Sequence, residues 1–417
     1  MEMYNLESEF KKFYAEHVVL PQSEKNALFN KKNINVERLK EGLVEYNEEH
    51  GTDYKLAEEP IVQGSVAMST VIQNDSNDYD IDVAIVFEKG KIPEGTTATK
   101  NMVVDALKRK TKQFKVEPEA KTNCIRIVYA EGYHVDFAIY RRYKDGDVYK
   151  YEHCGSEWRE RDPRSITKWF FDQNKEKEYK LREVIRLLKM FSKSRDGWVN
   201  MPGGLIQSVL CDECDEQFQS YERLDERFYY IIEAIKNRLA LNKDVFDPVD
   251  PNKSLTLVQK DRVKIENLYN RLSDKLSKLS ILFDKSCTYK KAIEAWEEFF
   301  NHEYWTEQKQ MERLHVPKPL ASYKSEDFIL YRETEEFIEN LFPVKIQYKL
   351  NLDCKVYKDG KAIGWLRSMA KRREPLLPNH IWIFKAEPIN IPSPYKVYWK
   401  VRNRGEVAKK KDLVRGE

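Results

Sequence analysis

Three aspartates set in apolar, strand-like segments are the residues of this chain best suited to do chemistry. Asp80 and Asp82 lie in residues 79–87, and Asp136 lies in residues 133–140, about fifty positions further on. Residues two apart on a strand share a face, so the carboxylates of Asp80 and Asp82 repel each other unless cations neutralise them. A third carboxylate on a neighbouring strand completes a set of hard oxygen ligands. The sequence therefore predicts two Mg²⁺ ions, replaceable by Mn²⁺, held by Asp80, Asp82 and Asp136.

The segment Gln63, Gly64 and Ser65, just before the first strand, suits the binding of a triphosphate. A glycine lets backbone amides approach a phosphate closely, and the Ser65 hydroxyl adds a further hydrogen-bonding group. Two Mg²⁺ ions about 4 Å apart activate an attacking hydroxyl and stabilise the leaving pyrophosphate. Each pattern alone is common in solvated turns and calcium loops. Their order and their strand context together favour a nucleotidyl-transfer site.

At these residues the sequence resembles the cGAS/DncV-like nucleotidyltransferases of bacteria (SMODS type), which belong to the polymerase-β-like superfamily. The resemblance spans roughly residues 5–310. Residues 181–189 resemble the helix whose lysine contacts the donor triphosphate, so the resemblance implies that role for Lys189. Thr70, which follows Gln63, Gly64 and Ser65, also fits the family pattern. The linker after the third aspartate resembles that of many relatives at Glu152, His153, Trp158, Asp162, Pro163, Trp169 and Phe170.

The resemblance implies a Mg²⁺-dependent enzyme that makes a cyclic di- or trinucleotide second messenger from nucleoside triphosphates, in bacterial anti-phage (CBASS) signalling. ATP is the expected substrate, and the second base is left open. Two alternatives remain: a nucleotidyltransferase acting on an RNA end or a small-molecule acceptor, and a catalytically silent nucleotide-binding sensor. The net charge of +3, from 72 basic and 69 acidic residues, argues weakly against a nucleic-acid polymer as a stable partner.

One departure from the family concerns residues 201–204, Met-Pro-Gly-Gly, where relatives often carry a serine or an aromatic residue that stacks on a base. Ser208, one helical turn further on, is a weak candidate to replace that serine. Among the basic residues, Arg141 and Arg142 are the candidates for contacts to a nucleotide or an activator. His134 is expected on the strand face opposite Asp136, as a packed or surface side chain.

Composition favours a cytoplasmic protein of two or three domains. The 417 residues are 41% hydrophobic, and no stretch approaches the roughly 20 apolar residues of a membrane-spanning helix. The six cysteines are scattered and give no disulfide framework. Cys211 and Cys214 form a single C-x-x-C pair, for which two packed thiols are favoured over a zinc site.

The predicted fold class is α+β: a polymerase-β-like nucleotidyltransferase palm sheet with helices, a helical second lobe and a small C-terminal β domain. Periodicity predicts a strand-rich palm over residues 60–145, and a rigid loop is expected at residues 247–252. Helices 4–17 and 23–50 are expected to brace the back of the sheet, and a cleft between the lobes to hold the nucleotides. The other predicted helices cover residues 98–112, 178–195, 203–216, 222–240, 256–284 and 287–302.

Three domains are predicted: a catalytic lobe (1–170), a helical lobe (171–318) and a β-rich C-terminal domain (319–417) with strands near 344–350, 381–384 and 395–401. Residues 398–406 and 413–417 resemble the adenylyl/guanylyl and SMODS C-terminal sensor domain (AGS-C). The resemblance implies a regulatory protein or ligand acting through this domain; a plain β module for packing or assembly is the alternative. Family members usually continue through further strands, so the domain is expected to be either incomplete or unusually short.

Overall fold

The computed structural model describes residues 2–74, 78–218, 220–312, 349–358, 361–365 and 381–389. The chain divides into two compact units, Met1–His315 and Val316–Glu417. The expected boundary near residue 170, between a catalytic and a helical lobe, stays a prediction. In the described ranges no helix has the length and apolar character needed to cross a membrane.

A seven-stranded sheet forms the centre of the first unit. Its strand order is β1-β2-β5-β4-β3. Strand β6 pairs with the C-terminal half of β5 and with β7. The pair β2–β5 is parallel, and the other pairs are antiparallel. The strands are β1 (Ile61–Gln63), β2 (Asp80–Glu88), β3 (Glu119–Ala120), β4 (Ile125–Val128), β5 (His134–Asp145), β6 (Val148–Cys154) and β7 (Trp158–Glu160).

Two helices cover the face of the sheet opposite the aspartates. Helix α2 (Gln22–His50) contributes Leu28 and Leu39, and α4 (Thr96–Lys110) contributes Val103, to one buried cluster with the apolar residues of β2 and β5. Along the first half of β2 and β5, alternate side chains are apolar and point to the helices, while the residues between them, the aspartates included, point the other way. This explains why polar and apolar residues alternate in the sequence there. The prediction that residues 23–50 brace the sheet is confirmed.

The first helix, α1 (Glu7–Phe13), packs elsewhere. Phe10 and Phe13 belong to the core of the helical region, where the Phe10 ring lies 4.6 Å from Trp296 and the Phe13 ring 4.9 Å from Phe300. The expectation that residues 4–17 brace the sheet was therefore wrong. The reason is that the aromatic pair of this short helix packs well against other aromatic side chains, and α10 (Tyr289–Phe300) supplies them.

The helical region of the first unit contains more helices than predicted. Two of them were not predicted, α5 (Ser165–Glu176) and α11 (Glu303–Glu312). The segment 247–252, expected as a loop, instead belongs to a short hairpin of β8 (Phe246–Asp247) and β9 (Asp250–Ser254). The remaining helices are α3 (Gly64–Ala67), α6 (Leu181–Ser192), α7 (Gly204–Asp215), α8 (Leu224–Leu241) and α9 (Gln259–Leu279).

The second unit contains a three-stranded antiparallel sheet of order β11-β10-β12. Its strands are β10 (Lys349–Lys358), β11 (Lys361–Trp365) and β12 (Ile381–Ile389). The strand predicted near 381–384 is confirmed by β12. The strand predicted at 395–401 and nearly all of that at 344–350 lie outside the described residues.

Candidate active site

The sheet brings the three predicted aspartates together. Parallel pairing of β2 with β5 sets Asp82 directly beside Asp136, and Asp80 beside His134. Asp80 is exposed at the start of β2, Asp82 is half-buried, and Asp136 is only 4% exposed. Asp80 and Asp82 line the cavity described below, whereas Asp136 lies deeper.

The charges of the aspartates destabilise one another. Burial, followed by the charges of Asp80 and Asp136, raises the pKa of Asp82 from 3.8 to about 7. Such a carboxyl is ionised at neutral pH only at a cost, which a bound divalent cation would remove. Asp80 and Asp82 thus fit a Mg²⁺ ion, because they present hard oxygen donors from one strand face and their repulsion needs a cation.

The third aspartate is bound by an arginine that the sequence analysis did not select. Arg126 lies opposite Asp136 in the β4–β5 pair; its Nε donates to Oδ1 at 2.9 Å and its Nη2 to Oδ2 at 2.6 Å. Within the described ranges no group of three or more His, Cys, Asp or Glu side chains is arranged to hold a metal ion. A cation bound by Asp136 would share its carboxylate oxygens with the Arg126 guanidinium and would lie close to that positive charge. The available signal was a single arginine in the apolar alternation Ile125-Arg126-Ile127.

Gln63, Gly64 and Ser65 lie at the same end of the sheet. Gly64 begins α3 with a φ of 63°, and a Cβ there would lie 2.1 Å from Oδ2 of Asp82. Only glycine therefore allows the backbone to approach the carboxylate so closely. The Gln63 amide donates to the carbonyl of Pro163, which ties this segment to the linker after β7. All three residues line the cavity.

Lys189, for which the family resemblance implies a contact to the triphosphate, lies on α6 and contacts Thr70, whose amide donates to the Ser65 carbonyl. Its Nζ donates to the hydroxyl of Thr70 at 2.8 Å and to the Thr70 carbonyl at 3.1 Å. Burial lowers the pKa of Lys189 to about 8, while the charge of Asp80 partly offsets that effect. The lysine is therefore mostly charged at neutral pH and is coupled to the Gly64–Ser65 segment through Thr70.

The surroundings of Gly204 give a physical reason for a glycine in residues 201–204, the segment that departs from the family pattern. A Cβ at Gly204 would lie 3.1 Å from both Cε and Nζ of Lys189, so a side chain there would press on the ammonium group. The first residue of α7 thus leaves room for Lys189 where relatives often carry a serine or an aromatic residue. Ser208 does not replace that serine, since it is fully buried and its hydroxyl donates to the Gly204 carbonyl at 2.8 Å.

One cavity of about 1020 Å³ connects these groups. The sheet and its following linker contribute Tyr140, His153 and Arg161 to its wall, and the helical region contributes Trp198 and His302. Burial, and then the charge of Arg161, lowers the pKa of His153 to about 4, so its ring is neutral at neutral pH. Its Nε2 lies 3.0 Å from the Asn123 carbonyl, which accepts hydrogen bonds and so fixes the proton on that nitrogen.

Several other predicted candidates lie away from the cavity or are already paired. Arg141 forms an ion pair with Glu152, and Arg142 pairs with Glu88 and Glu58. Their predicted role as nucleotide contacts has no support in these contacts. His134 was assigned to the wrong face: it lies two residues from Asp136, so the two share a face, and its Nδ1 is 3.7 Å from Asp78.

The two thiols of the C-x-x-C pair are packed in the helical core. Cys211 and Cys214 are both buried, and burial raises the pKa of each thiol above its usual value. A thiol with a raised pKa is a poor metal ligand, because metals bind the thiolate. The packing interpretation made from the sequence agrees with this environment.

Two family models match the chain. Residues 59–140 match the nucleotidyltransferase domain of the cyclic GMP-AMP synthase DncV-like family, a range that runs from before Gln63 to beyond Asp136. Residues 332–417 match the adenylyl/guanylyl and SMODS C-terminal sensor domain.

Solved structures share the fold at low sequence identity. The Vibrio cholerae di-nucleotide cyclase DncV, in complex with GTP and 5MTHFGLU2, aligns with a TM-score of 0.58 and 16% identity over 74% of this chain and 99% of DncV. DncV with the linear intermediate pppA(3′,5′)pG aligns with a TM-score of 0.58 and 17% identity over 72% of this chain and 97% of DncV. The E. coli MS115-1 CdnC in its HORMA complex aligns with a TM-score of 0.55 and 15% identity over 70% of this chain and 96% of CdnC. Residues 59–140 thus match a DncV-like nucleotidyltransferase domain, residues 332–417 match a sensor domain, and the chain shares its fold with DncV and CdnC.

Proposed function

We propose that this nucleotidyltransferase is Mg²⁺-dependent and makes a cyclic di- or trinucleotide second messenger in bacterial anti-phage (CBASS) signalling. The observation that carries the proposal is the meeting of Asp80, Asp82, the Gly64–Ser65 segment and Lys189 around one cavity. Its volume of about 1020 Å³ lies at the upper end of the roughly 300–1,000 Å³ typical of small-molecule sites. That size suits a donor and an acceptor nucleotide held together.

Each group has a role that follows from its position. Asp80 and Asp82 would hold the ions, which would neutralise phosphate charge and lower the pKa of the attacking hydroxyl. Asp136, beside Asp82, would be the third ligand and so help activate the attacking ribose hydroxyl. Lys189 donates to the donor triphosphate, and the amides and hydroxyl of the Gly64–Ser65 segment bind the same phosphates. The products are a phosphodiester and pyrophosphate.

The partners follow from the same chemistry. DncV has been solved with GTP and with ATP and GTP together, and CdnC with ATP. We infer that this chain also uses nucleoside triphosphates, with ATP as one of them. CdnC in complex with a HORMA protein supports a regulatory protein or ligand here, acting through residues 332–417. A cytoplasmic location without a membrane or polymer partner remains part of the proposal.

The test is incubation of the purified protein with each labelled nucleoside triphosphate and all four together, with Mg²⁺ or Mn²⁺, beside the Asp80→Asn/Asp82→Asn variant. After phosphatase treatment, chromatography should reveal a resistant product that the variant lacks, and the labels name its bases. A folded, nucleotide-binding protein that extends an RNA end or labels a small acceptor, and forms no resistant product, would overturn the cyclic-messenger proposal.

A further inference from the structure

Arg126 is the residue of the site whose contacts the proposed roles leave unexplained. It forms two hydrogen bonds with Asp136, one to each carboxylate oxygen, at 2.9 and 2.6 Å. The Asp136 side chain is 6% exposed and that of Arg126 36%, so the carboxylate is enclosed while the guanidinium reaches solvent. A two-bond arginine–carboxylate pair of this kind fixes the orientation of both groups.

Arg126 also neutralises the neighbouring aspartates. Of the surrounding cations, Arg126 does most to offset the rise in the pKa of Asp82, and Asp80 in turn acts on Arg126. The positive charge of one guanidinium thus offsets the negative charges of Asp80, Asp82 and Asp136. A divalent ion bound between Asp82 and Asp136 would take over this function and would repel the guanidinium at close range.

We propose that Arg126 is a positioning residue that competes with the divalent cation for Asp136. In the metal-free protein it holds both Asp136 oxygens, and it releases at least one of them when an ion binds between Asp82 and Asp136. The Arg126–Asp136 pair, called here the Arg126 latch, thereby makes completion of the metal site depend on movement of one side chain. The inference rests on the proposed metal-dependent function and deepens it.

Electron paramagnetic resonance titration with Mn²⁺ tests the latch without requiring turnover. The full-length protein, saturated with a non-hydrolysable ATP analogue, is compared with Arg126→Gln and Arg126→Lys. We expect Arg126→Gln to tighten the weaker Mn²⁺ site on the order of tenfold, because an opposing charge and two competing hydrogen bonds are removed. Arg126→Lys, which keeps the charge but loses the paired geometry, should give a smaller gain.

Arg141→Gln is the matched control. Arg141 and Glu152 are also cross-strand partners on this sheet, and they form an ion pair whose side chains are 13% and 17% exposed. Arg141 lies five residues along β5 from Asp136, about 16 Å away. Its replacement removes the same charge and should change Mn²⁺ affinity less than twofold.

Unchanged affinity in Arg126→Gln would reduce Arg126 to a structural role, and weaker binding would mean that it prepares Asp136 for the ion; either result overturns the latch. If Arg126→Gln does not fold, a crystal structure of the wild-type protein with Mn²⁺ and the analogue decides. The latch predicts that at least one Arg126–Asp136 contact exceeds 3.5 Å, and retention of both with an ion on Asp136 refutes it. A latch that fails in an enzyme that still makes product leaves the proposed function standing, whereas absence of any Mn²⁺ binding removes both.

Discussion

Replacing Asp82 with Asn should stabilise the metal-free protein and abolish its response to Mg²⁺. Without a cation, the half-buried Asp82 carboxyl has a pKa raised from 3.8 to about 7, by burial first and then by Asp80 and Asp136. Between these two pH values the folded protein binds more protons than the unfolded chain. The contribution of Asp82 to the free energy of unfolding therefore falls as the pH rises from about 4 to about 7, and it stays low above that.

The magnitude follows from the same values. A pKa moved from 3.8 to about 7 corresponds to roughly 4 kcal/mol of ionisation penalty at about 1.4 kcal/mol per pKa unit. Because Asp82 retains contact with solvent, we expect about 1–3 kcal/mol after screening. At pH 8 in EDTA, Asp82→Asn should therefore melt about 2–6 °C above the wild type. At pH 5 the wild-type carboxyl is protonated and the difference should nearly vanish.

Thermal unfolding at pH 5 and pH 8, in EDTA and in Mg²⁺ with an ATP analogue, measures all of these effects. Bound Mg²⁺ stabilises only the protein that binds it, so the wild type should gain stability in Mg²⁺ and Asp82→Asn should gain much less. Asp145→Asn, an exposed change near the end of β5, is the control and should stay within about 0.5 kcal/mol of the wild type. An Asp82→Asn protein that is less stable in EDTA at pH 8, or whose advantage does not depend on pH, would refute the argument.

Other substitutions test the remaining contacts of the site. Lys189→Met should raise the KM for ATP at least tenfold with little change in Tm. In the wild type, kcat/KM should fall above about pH 8, because Lys189, whose pKa is lowered to about 8, loses its proton. A pH profile that the substitution leaves unchanged would contradict this role. Gly204→Ala should lower kcat/KM several-fold, because its Cβ would lie 3.1 Å from the Lys189 ammonium, whereas Ser208→Ala should leave product formation within twofold and cost about 1 kcal/mol in denaturant unfolding. Gly64→Ala should abolish synthesis and destabilise by at least 1 kcal/mol, since its Cβ meets Asp82 at a positive φ; wild-type activity would refute the close approach.

Much of the site was predictable because its signals are local. The alternation of polar and apolar residues around Asp80 and Asp82 indicates a strand face directly. Residues 181–189 have the periodicity of a helix with one apolar face. The core helices were found in the same way. The helix at 4–17 was found but misplaced, because periodicity reveals that Phe10 and Phe13 share a buried face and does not reveal which partner covers it.

Contacts between distant segments were the hardest to predict. Arg141 and Arg142 lie on the same strand as Asp136, and their cross-strand neighbours include carboxylates that pair with them. Conversely, Arg126 lies ten residues before Asp136 and was passed over, although strand pairing places it directly opposite. Register thus decides whether an arginine beside the site is available to a ligand, and one sequence does not reveal register.

The sequence by itself determined that Asp80 and Asp82 share a face, that Gly64 and Ser65 precede them and that Asp136 lies in a second strand, because residue type and periodicity are properties of short segments. Only the tertiary structure decided that Asp136 lies beside Asp82, that Arg126 binds both of its oxygens, and that Lys189 reaches Thr70 where Gly204 leaves space. These arrangements depend on strand order and on the burial of charged groups. Both are set by contacts between residues far apart in the chain.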